Sequence, residues 1–299
     1  MGGAGSIEDG LAAAVAAAVG TEVRAVRPLS GGDINLAFAL QLGDGRHLFA
    51  KTNPRAPAGM FAAEARGLGW LAAAKAIRVP HVVAVAEARA DAPAFLALEL
   101  IATGRPGRHF GERLGQQLAA LHAGGAPGFG LDHDNFIGSL AQANGFLPAP
   151  GDDWAAFYRT RRLEPLLARA AARGLVSPQM RRGFDRLFAT LEDLVGPAEP
   201  PARLHGDLWG GNLLVDAAGD PCLIDPAVYG GHREIDLAMM RLFGGFDTRV
   251  FAAYEEASPL APGAEERVAL YQLLPLLVHV CLFGGGYVAS VESALRQLV

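Results

Sequence analysis

Three polar side chains in one stretch of the sequence have types and spacing suited to catalysis: Asp207, Asn212 and Asp225. The apolar runs Leu213–Val215 and Cys222–Ile224 enclose a turn-rich segment, which predicts a β-hairpin. Because a hairpin brings its outer ends together, Asn212 and Asp225 should lie side by side, with Asp207 in the preceding loop. A carboxylate and an amide oxygen suit a hard cation such as Mg²⁺. A second carboxylate nearby could accept a proton from a hydroxyl group.

The segment around Asp207 also has a recognisable spacing. It reads HGDLWGGN over His205–Asn212 and keeps the spacing of the kinase catalytic loop, H-R-D-L-x-x-x-N. Gly206 replaces the arginine of that pattern, and Ile224-Asp225-Pro226 stands where D-F-G would be. A single loop aspartate is most often a turn or cap residue, but the joint pattern is much rarer. It favours phosphoryl transfer to a hydroxyl group.

The N-terminal part of the chain is predicted to form a small antiparallel sheet with one main packed helix. After a first helix over Ile7–Val19, strands are predicted at Glu22–Leu29, Leu36–Leu42, Arg46–Lys51, Val82–Ala86 and Ala94–Leu100. The main helix spans Met60–Ala74. Gly31 and Gly32 form a turn between the first two strands, where backbone N–H groups could approach phosphates. Such a turn is also common in ordinary hairpins.

Lys51 and Glu64 form a second candidate pair. Lys51 is one of only two lysines in a chain that otherwise uses arginine, and it ends a short apolar strand. Lysine binds phosphate as a compact point charge, and an acidic residue on the next helix can hold it there. The alternative is a strand-end lysine at the surface and an ordinary exposed glutamate.

A stretch rich in glycine and proline, Ala102–Gly107, marks the predicted boundary between two lobes, residues 1–102 and 103–299. Beyond it the pattern becomes helical, with helices predicted at Phe110–His122, Asp153–Arg173 and Pro178–Val195 and three more after residue 246. The long loop Ala123–Pro150 is expected to be functional or mobile. The sequence thus predicts an α+β fold with a sheet-based first lobe and a mainly helical second lobe.

Bulk properties exclude several classes of function. The chain has 299 residues and a net charge of −5, which argues against a nucleic-acid partner. Its two cysteines, Cys222 and Cys281, lie in apolar runs and are expected to be reduced thiols of a cytoplasmic protein. The most apolar run, Val268–Phe283, is short for a bilayer span and is predicted to be a buried helix. We therefore expect no membrane association.

Motifs spread over nearly the whole chain carry a resemblance to a known family. They include GGDIN at 31–35, FAK at 49–51, DNFIGS at 134–139, HGDLWGGN at 205–212 and FGGF at 243–246. The chain resembles the fructosamine (ketosamine) kinases, within the protein-kinase-like superfamily that includes aminoglycoside and choline kinases. His-Gly-Asp alone marks only the superfamily, whereas the extended loop together with FGGF is specific to the family.

The resemblance implies a two-lobed kinase fold that uses ATP and Mg²⁺ to phosphorylate the 3-hydroxyl of ketosamines, such as ribulosamine, erythrulosamine or fructosamine adducts. This is a deglycation activity on glycated amines or glycated lysine side chains. It also implies site roles: Asp207 as catalytic base, Asn212 and Asp225 as metal ligands, Gly31, Gly32, Lys51 and Glu64 around the phosphates, Glu99 and Ile101 at the adenine hinge, and Trp209 and His232 as substrate contacts. Trp209 could instead be a core residue.

Three hypotheses about the function remain open at this point. They are a ketosamine kinase, an aminoglycoside- or choline-type phosphotransferase, and a non-catalytic kinase-like binding module, which the complete residue set disfavours. A polycationic aminoglycoside needs several converging carboxylates, and the long loop supplies only Asp132 and Asp134. We therefore expect a ketosamine acceptor. Some family members carry cysteine in the glycine-rich turn, where this chain has Asp33, so we expect no redox-linked pairing of subunits and a monomer.

Overall fold

The structure is a computed structural model that describes residues 4–30, 34–90, 92–147 and 153–299. The predicted phosphate-binding turn, Gly31, Gly32 and Asp33, lies outside these ranges. The N-terminal lobe is built on a five-stranded antiparallel sheet with the order β1-β2-β3-β5-β4. Its elements are helix α1 (Ala4–Val19), β1 (Val23–Leu29), β2 (Leu36–Leu42), β3 (His47–Thr52), helix α2 (Met60–Ala73), β4 (Val82–Ala86) and β5 (Phe95–Glu99).

Both faces of this sheet are covered, which explains why the interior strand β5 is apolar up to its last residue, Glu99. Successive side chains of a strand point to opposite faces. Phe95 and Ala97 pack in the core that α1 contributes to, whereas Leu96 and Leu98 pack in the core that α2 contributes to. The same alternation applies to β3, where Leu48 and Ala50 join the α1 core. Residue 51 therefore lies on the face of the sheet that α2 covers.

The second lobe is mainly helical, as predicted, so the α+β class is confirmed. Its helices are α3 (Phe110–Ala123), α4 (Trp154–Phe157), α5 (Glu164–Ala172), α6 (Pro178–Leu194), α7 (Glu234–Leu242), α8 (Thr248–Ala257), α9 (Ala264–Phe283) and α10 (Val288–Leu298). Three two-stranded ribbons pair β6 (Asn135–Ile137) with β7 (Leu140–Gln142), β8 (Ala202–Leu204) with β11 (Tyr229–Gly231), and β9 (Leu213–Val215) with β10 (Pro221–Leu223). The predicted boundary between residues 102 and 103 falls between β5 and α3.

Several local predictions differ from the structure. The long loop before α4 contains the short ribbon β6–β7, and the sequence analysis missed the pair β8–β11 because three-residue strands give almost no periodic signal. The helix predicted over Asp153–Arg173 contains a π-helical turn, Tyr158–Leu163, between α4 and α5. Such turns occur mostly as single-turn insertions inside α-helices, frequently at functional sites. Here the turn places Arg162 in the interior, where it is fully buried.

Helix α9 passes through the core of the second lobe. Tyr271, Leu273 and Leu277 are among its fully buried residues, as expected for the apolar run in the sequence. By length and composition alone, α9 is the one helix in the described part of the chain that could cross a membrane, but most of that segment is buried inside the protein. Its C-terminal end reaches the cleft between the lobes.

Candidate active site

The hairpin predicted from the sequence is present and brings its two ends together. In the β9–β10 ribbon, Leu213 lies opposite Leu223. The next residues outward are also joined, because the amide of Ile224 donates to the carbonyl oxygen of Asn212 at 3.0 Å. Asn212 and Asp225 therefore lie side by side at the mouth of the hairpin. The hairpin is itself anchored to the first lobe, since the Leu223 amide donates to the Arg78 carbonyl at 2.9 Å.

The loop that carries Asp207 is held in place by Asp236, which lies in the first turn of α7. The two carboxylate oxygens of Asp236 accept the amides of His205 at 2.8 Å and Gly206 at 2.9 Å. One of them also accepts from Nε2 of His122 at 3.1 Å, and Nδ1 of that ring contacts the Tyr254 hydroxyl at 2.7 Å. Asp236 thus braces the loop from a fully buried position and does not line the cleft.

His205 links the Asp207 loop to the Asp225 segment. Its Nε2 donates to the Ile224 carbonyl at 2.9 Å, and its Nδ1 faces the Asp207 amide at 3.3 Å. A carbonyl oxygen can only accept, so the proton lies on Nε2 and Nδ1 is the acceptor. Burial lowers the pKa of His205, which keeps the ring neutral in this arrangement.

Gly206 has a structural reason to differ from the arginine of other kinase loops. Its φ is +83°, in the left-handed region that favours glycine. A Cβ atom at this position would lie 2.1 Å from the Ala227 carbonyl oxygen, which is far too close for any side chain. The close approach lets the Ala227 amide donate to the His205 carbonyl at 2.9 Å. The departure from the kinase pattern therefore tightens the contact between the two catalytic segments.

Lys51 lies between two carboxylates. Its Nζ is 2.6 Å from Oε2 of Glu64 and 2.9 Å from Oδ1 of Asp225. Burial alone would lower the pKa of Lys51, but the two carboxylates raise it above its ordinary value, so the ammonium is retained. Burial raises the pKa of Glu64 to about 7 although Lys51 opposes this shift. The alternative of an exposed lysine and an ordinary surface glutamate is thereby excluded.

Asp207 and Asp225 have opposite titration behaviour. Burial, together with the charge of Asp225, raises the pKa of Asp207 to about 7. Burial also acts to raise the pKa of Asp225, but the Lys51 ammonium outweighs it and holds that pKa below its ordinary value. Asp225 has φ of 53°, an uncommon backbone conformation that aspartate tolerates better than most residues. Asp225 is thus ionised at neutral pH, whereas Asp207 can take up a proton there.

The donor set at the hairpin mouth fits a magnesium ion that is shared with phosphates. The Asn212 amide nitrogen donates to the Asp207 carbonyl at 2.7 Å, which leaves its Oδ1 available as a ligand. The Asp225 side chain is about half exposed to the cleft, with 47% of its surface accessible. The described residues contain no cluster of three or more His, Cys, Asp or Glu side chains that would form an all-protein metal cage. Mg²⁺ usually binds through one or two carboxylates and substrate phosphates.

The cleft that contains these groups has a second wall that is largely aromatic and apolar. This wall comes from the loop tryptophan, the β6–β7 ribbon and the end of α9: Trp209, Phe136, Ile137, Val278, His279, Leu282 and Phe283. Trp209 is 43% exposed, so it is not a core residue. A Cβ on Gly211 would meet the Trp209 ring at 2.2 Å, so the indole lies over the backbone of its own loop.

The FGGF segment, Phe243–Phe246, supports this aromatic wall. Gly244 and Gly245 have φ of +69° and +90°, and a Cβ on Gly210 would lie 3.7 Å from the Gly245 Cα. The segment therefore packs directly against the Asp207 loop. Its first residue, Phe243, packs against His279 with the two rings tilted by 40° and their centroids 4.7 Å apart. The two motifs that are most specific to the family in the sequence thus meet at one place in the structure.

Not every predicted site residue lines the cleft. The Glu99 side chain turns outward, where Oε1 accepts the His81 amide at 3.1 Å. Ile101 is buried, and within the described part of the chain no protein group accepts its backbone N–H. His232, predicted as a substrate contact, is buried against Trp154 and Tyr271 and does not line the cleft. The resemblance that implied a substrate contact carries no information on which way this side chain points, and in the structure the side chain is directed into the core.

The sequence analysis missed a buried polar network that shapes one edge of the cleft. Asn135 lines the cleft and donates to the Val228 carbonyl at 2.7 Å, while its Oδ1 accepts from Asn144 at 2.8 Å. Asn144 in turn accepts from the buried Arg162 at 2.6 Å, whose guanidinium lies 3.8 Å over the Tyr229 ring. The only signal in the sequence was the DNFIGS motif, because the partners come from elements distant in the chain.

Comparison with known proteins gives a consistent family. A family model described as fructosamine kinase matches residues 9–299. A protein from Lactiplantibacillus plantarum, named a probable ketoamine kinase, is 39% identical over 278 residues, which cover 93% of this chain and 95% of the relative. A Thermus thermophilus protein with the same description is 38% identical over 273 residues, covering 90% of this chain and 92% of the relative.

Solved structures agree with the fold. A Thermobifida fusca protein, provisionally named a fructosamine-3-kinase, is 42% identical and superposes with a TM-score of 0.84 over 96% of this chain and 97% of its own. A macrolide 2'-phosphotransferase from Brachybacterium faecium is 18% identical and superposes with a TM-score of 0.59 over 95% of this chain and 97% of its own. At that identity the likeness supports the fold alone. The predicted kinase-like architecture is confirmed.

Proposed function

Because this chain belongs to the fructosamine kinase family, we propose that it transfers the γ-phosphoryl group of ATP to the 3-hydroxyl of a ketosamine. The observation that carries this proposal is the convergence of five side chains at one end of a cleft whose other wall is aromatic: Lys51, Glu64, Asp207, Asn212 and Asp225. A binding module would not need all five in contact. The complete and connected set supports a phosphotransferase.

Asp207 is the proposed general base. The transfer forms a bond between the hydroxyl oxygen and the γ-phosphorus, breaks the bond between that phosphorus and the β–γ bridging oxygen, and passes the hydroxyl proton to Asp207. A pKa of about 7 suits this role, because about half of such a carboxylate is ionised at neutral pH and the ionised form is a stronger base than an exposed aspartate. The hydrogen bond from Asn212 to Oδ2 at 3.3 Å orients the carboxylate.

The remaining charged groups position the phosphates. Asn212 Oδ1 and the Asp225 carboxylate would hold Mg²⁺, which neutralises charge on the nucleotide phosphates when it is bound. Lys51 supplies a fixed positive charge. Its ammonium group is held between Glu64 and Asp225, so Glu64 prevents it from moving fully onto Asp225. The Ile101 N–H, which has no acceptor among residues 4–30, 34–90, 92–147 and 153–299, supports a hinge role in which the backbone donates to adenine. Gly31 and Gly32 remain proposed phosphate contacts on sequence grounds.

The acceptor follows from the charge of the cleft. Of the described residues that line it, the carboxylates are Glu64, Asp207 and Asp225, and all three belong to the catalytic group. A polycationic aminoglycoside would therefore find no additional acidic side chains on the opposite wall. A sugar ring or chain carrying one amine suits an aromatic wall with Trp209. This supports ribulosamine, erythrulosamine or fructosamine adducts, and with them a deglycation role on glycated amines in the cytoplasm.

The test is ADP release from purified protein with a panel of acceptors. We expect turnover with ribulosamine, erythrulosamine or fructosamine adducts of a small amine, and none above background with kanamycin or choline. Asp207→Asn is the matched control, since it retains the shape of the site and should remove the signal. Turnover of kanamycin with the higher kcat/KM would refute the acceptor, and absence of turnover with every acceptor would refute the proposed function.

A further inference from the structure

His279 is a polar side chain on the aromatic wall of the cleft, and only one of its two ring nitrogens has a hydrogen-bond partner among the described residues. It lies on α9 four residues before Phe283, so the two side chains share a helix face and both line the cleft. Nδ1 of His279 contacts the Pro275 carbonyl at 2.8 Å. Within the described part of the chain, no protein group forms a hydrogen bond with its Nε2. A ligand in the cleft could therefore use that atom.

The contact with Pro275 determines which nitrogen carries the proton. A backbone carbonyl can only accept, so Nδ1 is the donor and Nε2 of the neutral ring presents a lone pair. Burial lowers the pKa of His279, which favours the neutral ring at neutral pH. The free atom of His279 is therefore a hydrogen-bond acceptor. Its natural partner is a donor on the substrate.

The surroundings of the ring are aromatic and uncharged. Its centroid lies 4.7 Å from Phe243, 4.9 Å from Tyr287 and 5.3 Å from Phe283. These rings come from the segment after α7, the turn after α9, and α9 itself. Phe283 is 51% exposed and Trp209 43% exposed, so both can present ring surface to a ligand. Aromatic faces attract cations through their negative quadrupole.

We propose that His279 receives the secondary ammonium group of the substrate, accepting its N–H through Nε2 while Trp209 and Phe283 shield it from water. This rests on the proposed function and names the residue that recognises the amine half of the acceptor. An ammonium group is only a donor, so it matches an acceptor atom set among aromatic rings better than a hydroxyl does. A neutral acceptor also suits a single isolated cation and gives a polycation no matching charge.

The proposal is tested with two substrates that differ in one group. One is the ribulosamine of butylamine, and the other is the matching ribulose 1-butyl ether, which has oxygen in place of the ammonium. A hydrogen bond to a charged group is worth about 10- to 100-fold in binding. We expect wild-type kcat/KM to favour the amine over the ether by about that factor.

Two variants separate the hydrogen bond from the ring. His279→Phe retains the aromatic contacts and removes the acceptor, so KM for the amine should rise about 10- to 100-fold while KM for the ether and for ATP stay unchanged. His279→Gln retains an acceptor at similar reach and should recover part of the preference. His81→Phe is the matched control, because that exposed ring also contacts a carbonyl through Nδ1, at 2.9 Å from Val82 O, but lies outside the cleft.

The outcomes distinguish this proposal from the function on which it rests. If wild-type protein phosphorylates the amine and His279→Phe lowers kcat/KM equally for amine and ether, His279 has no role in recognising the ammonium and the proposal is wrong. It is also wrong if the variant behaves as wild type with both substrates. If wild-type protein phosphorylates neither substrate, the proposed function itself fails. Loss of the amine preference in His279→Phe, with partial recovery in His279→Gln, supports it.

Discussion

The two walls of the cleft are built in different ways. On the catalytic wall, charged and polar side chains contact one another within 3.5 Å: Lys51 with Glu64 and Asp225, and Asn212 with Asp207. On the aromatic wall, Trp209 and Phe283 are about half exposed and are positioned mainly by packing. A change on the first wall therefore alters the charge of the reacting groups. A change on the second wall alters only which acceptor can bind beside the reacting groups. Mutations should therefore affect the rate of phosphoryl transfer and the choice of acceptor separately.

The largest effect is expected from Asp225→Ala on the catalytic wall. It removes a proposed metal ligand and leaves Lys51 with Glu64 as its carboxylate partner. Phosphoryl transfer depends on positioning and charge neutralisation, so turnover should be lost and Mg·ATP binding weakened, with the melting temperature little changed. Single-turnover kinetics and calorimetric nucleotide titration measure this. Asp193→Ala on the exposed face of α6 is the control, and normal activity in Asp225→Ala would remove this residue from the site.

Asp207→Asn should have the next largest effect. The change retains the shape of the side chain and removes proton acceptance, which is typically worth about 10²–10⁴-fold. We expect kcat to fall by that factor while KM for ATP stays nearly constant. Steady-state kinetics with ATP varied at saturating ketosamine measures both constants. A parallel loss of ATP binding would assign Asp207 to the metal instead of the proton.

Glu64→Gln should act indirectly, through the position of Lys51. The ammonium would retain Asp225 at 2.9 Å but lose the charge at 2.6 Å, so it should move toward the metal-binding carboxylate. Loss of a charge-assisted hydrogen bond of this kind predicts a decrease of roughly 10- to 100-fold in kcat/KM for ATP. Thermal unfolding should be followed in parallel. A collapsed melting temperature with near-normal kcat/KM would show that the pair is structural.

Trp209→Ala changes the aromatic wall and should have a smaller effect, on acceptor binding instead of turnover. Removing the indole takes away ring surface beside the acceptor but no charge, so KM for the ketosamine should rise about tenfold while KM for ATP is unchanged. Trp209→Phe, which retains an aromatic face, should recover most of the affinity. A decrease in kcat equal to that of Asp207→Asn would place the tryptophan on the catalytic wall and end the distinction between the two.

His232, which lies on neither wall, should affect stability instead of turnover. Burial lowers the pKa of His232 from 6.5 to about 4. Because the folded value is the lower one, its contribution to stability is complete above pH 6.5 and is lost as the pH falls toward 4. That loss amounts to about 3 kcal/mol. His232→Phe should reduce the fall in unfolding free energy over this range and leave both KM values unchanged. A raised KM for the ketosamine would restore the original substrate assignment.

The sequence predicted the site best where the candidate catalytic residues belong to one short structural element. The hairpin around Asp216 follows from turn residues between apolar runs, so Asn212 and Asp225 could be placed side by side before any coordinates. The pairing of Lys51 with Glu64 followed from one strand and the next helix.

The aromatic wall could not be predicted to the same extent, for a physical reason. His279 lies within a helix that reads as uniform core, and its role depends on rings from three separate segments meeting at one point. Helical periodicity places a residue on a face but does not say what that face meets. The buried Arg162 is similar, since no local pattern predicts a π-helical turn or a guanidinium over Tyr229. Burial of His232 was missed for the same reason.

The central claim is that the catalytic wall phosphorylates the 3-hydroxyl of a substrate held by the aromatic wall. Two-dimensional proton–phosphorus NMR of the product formed from ATP and the ribulosamine of butylamine tests it most directly. The account predicts a single phosphomonoester whose phosphorus couples to the proton on carbon 3. Coupling to another carbon's proton, or phosphorus transferred only to water as inorganic phosphate, would contradict it.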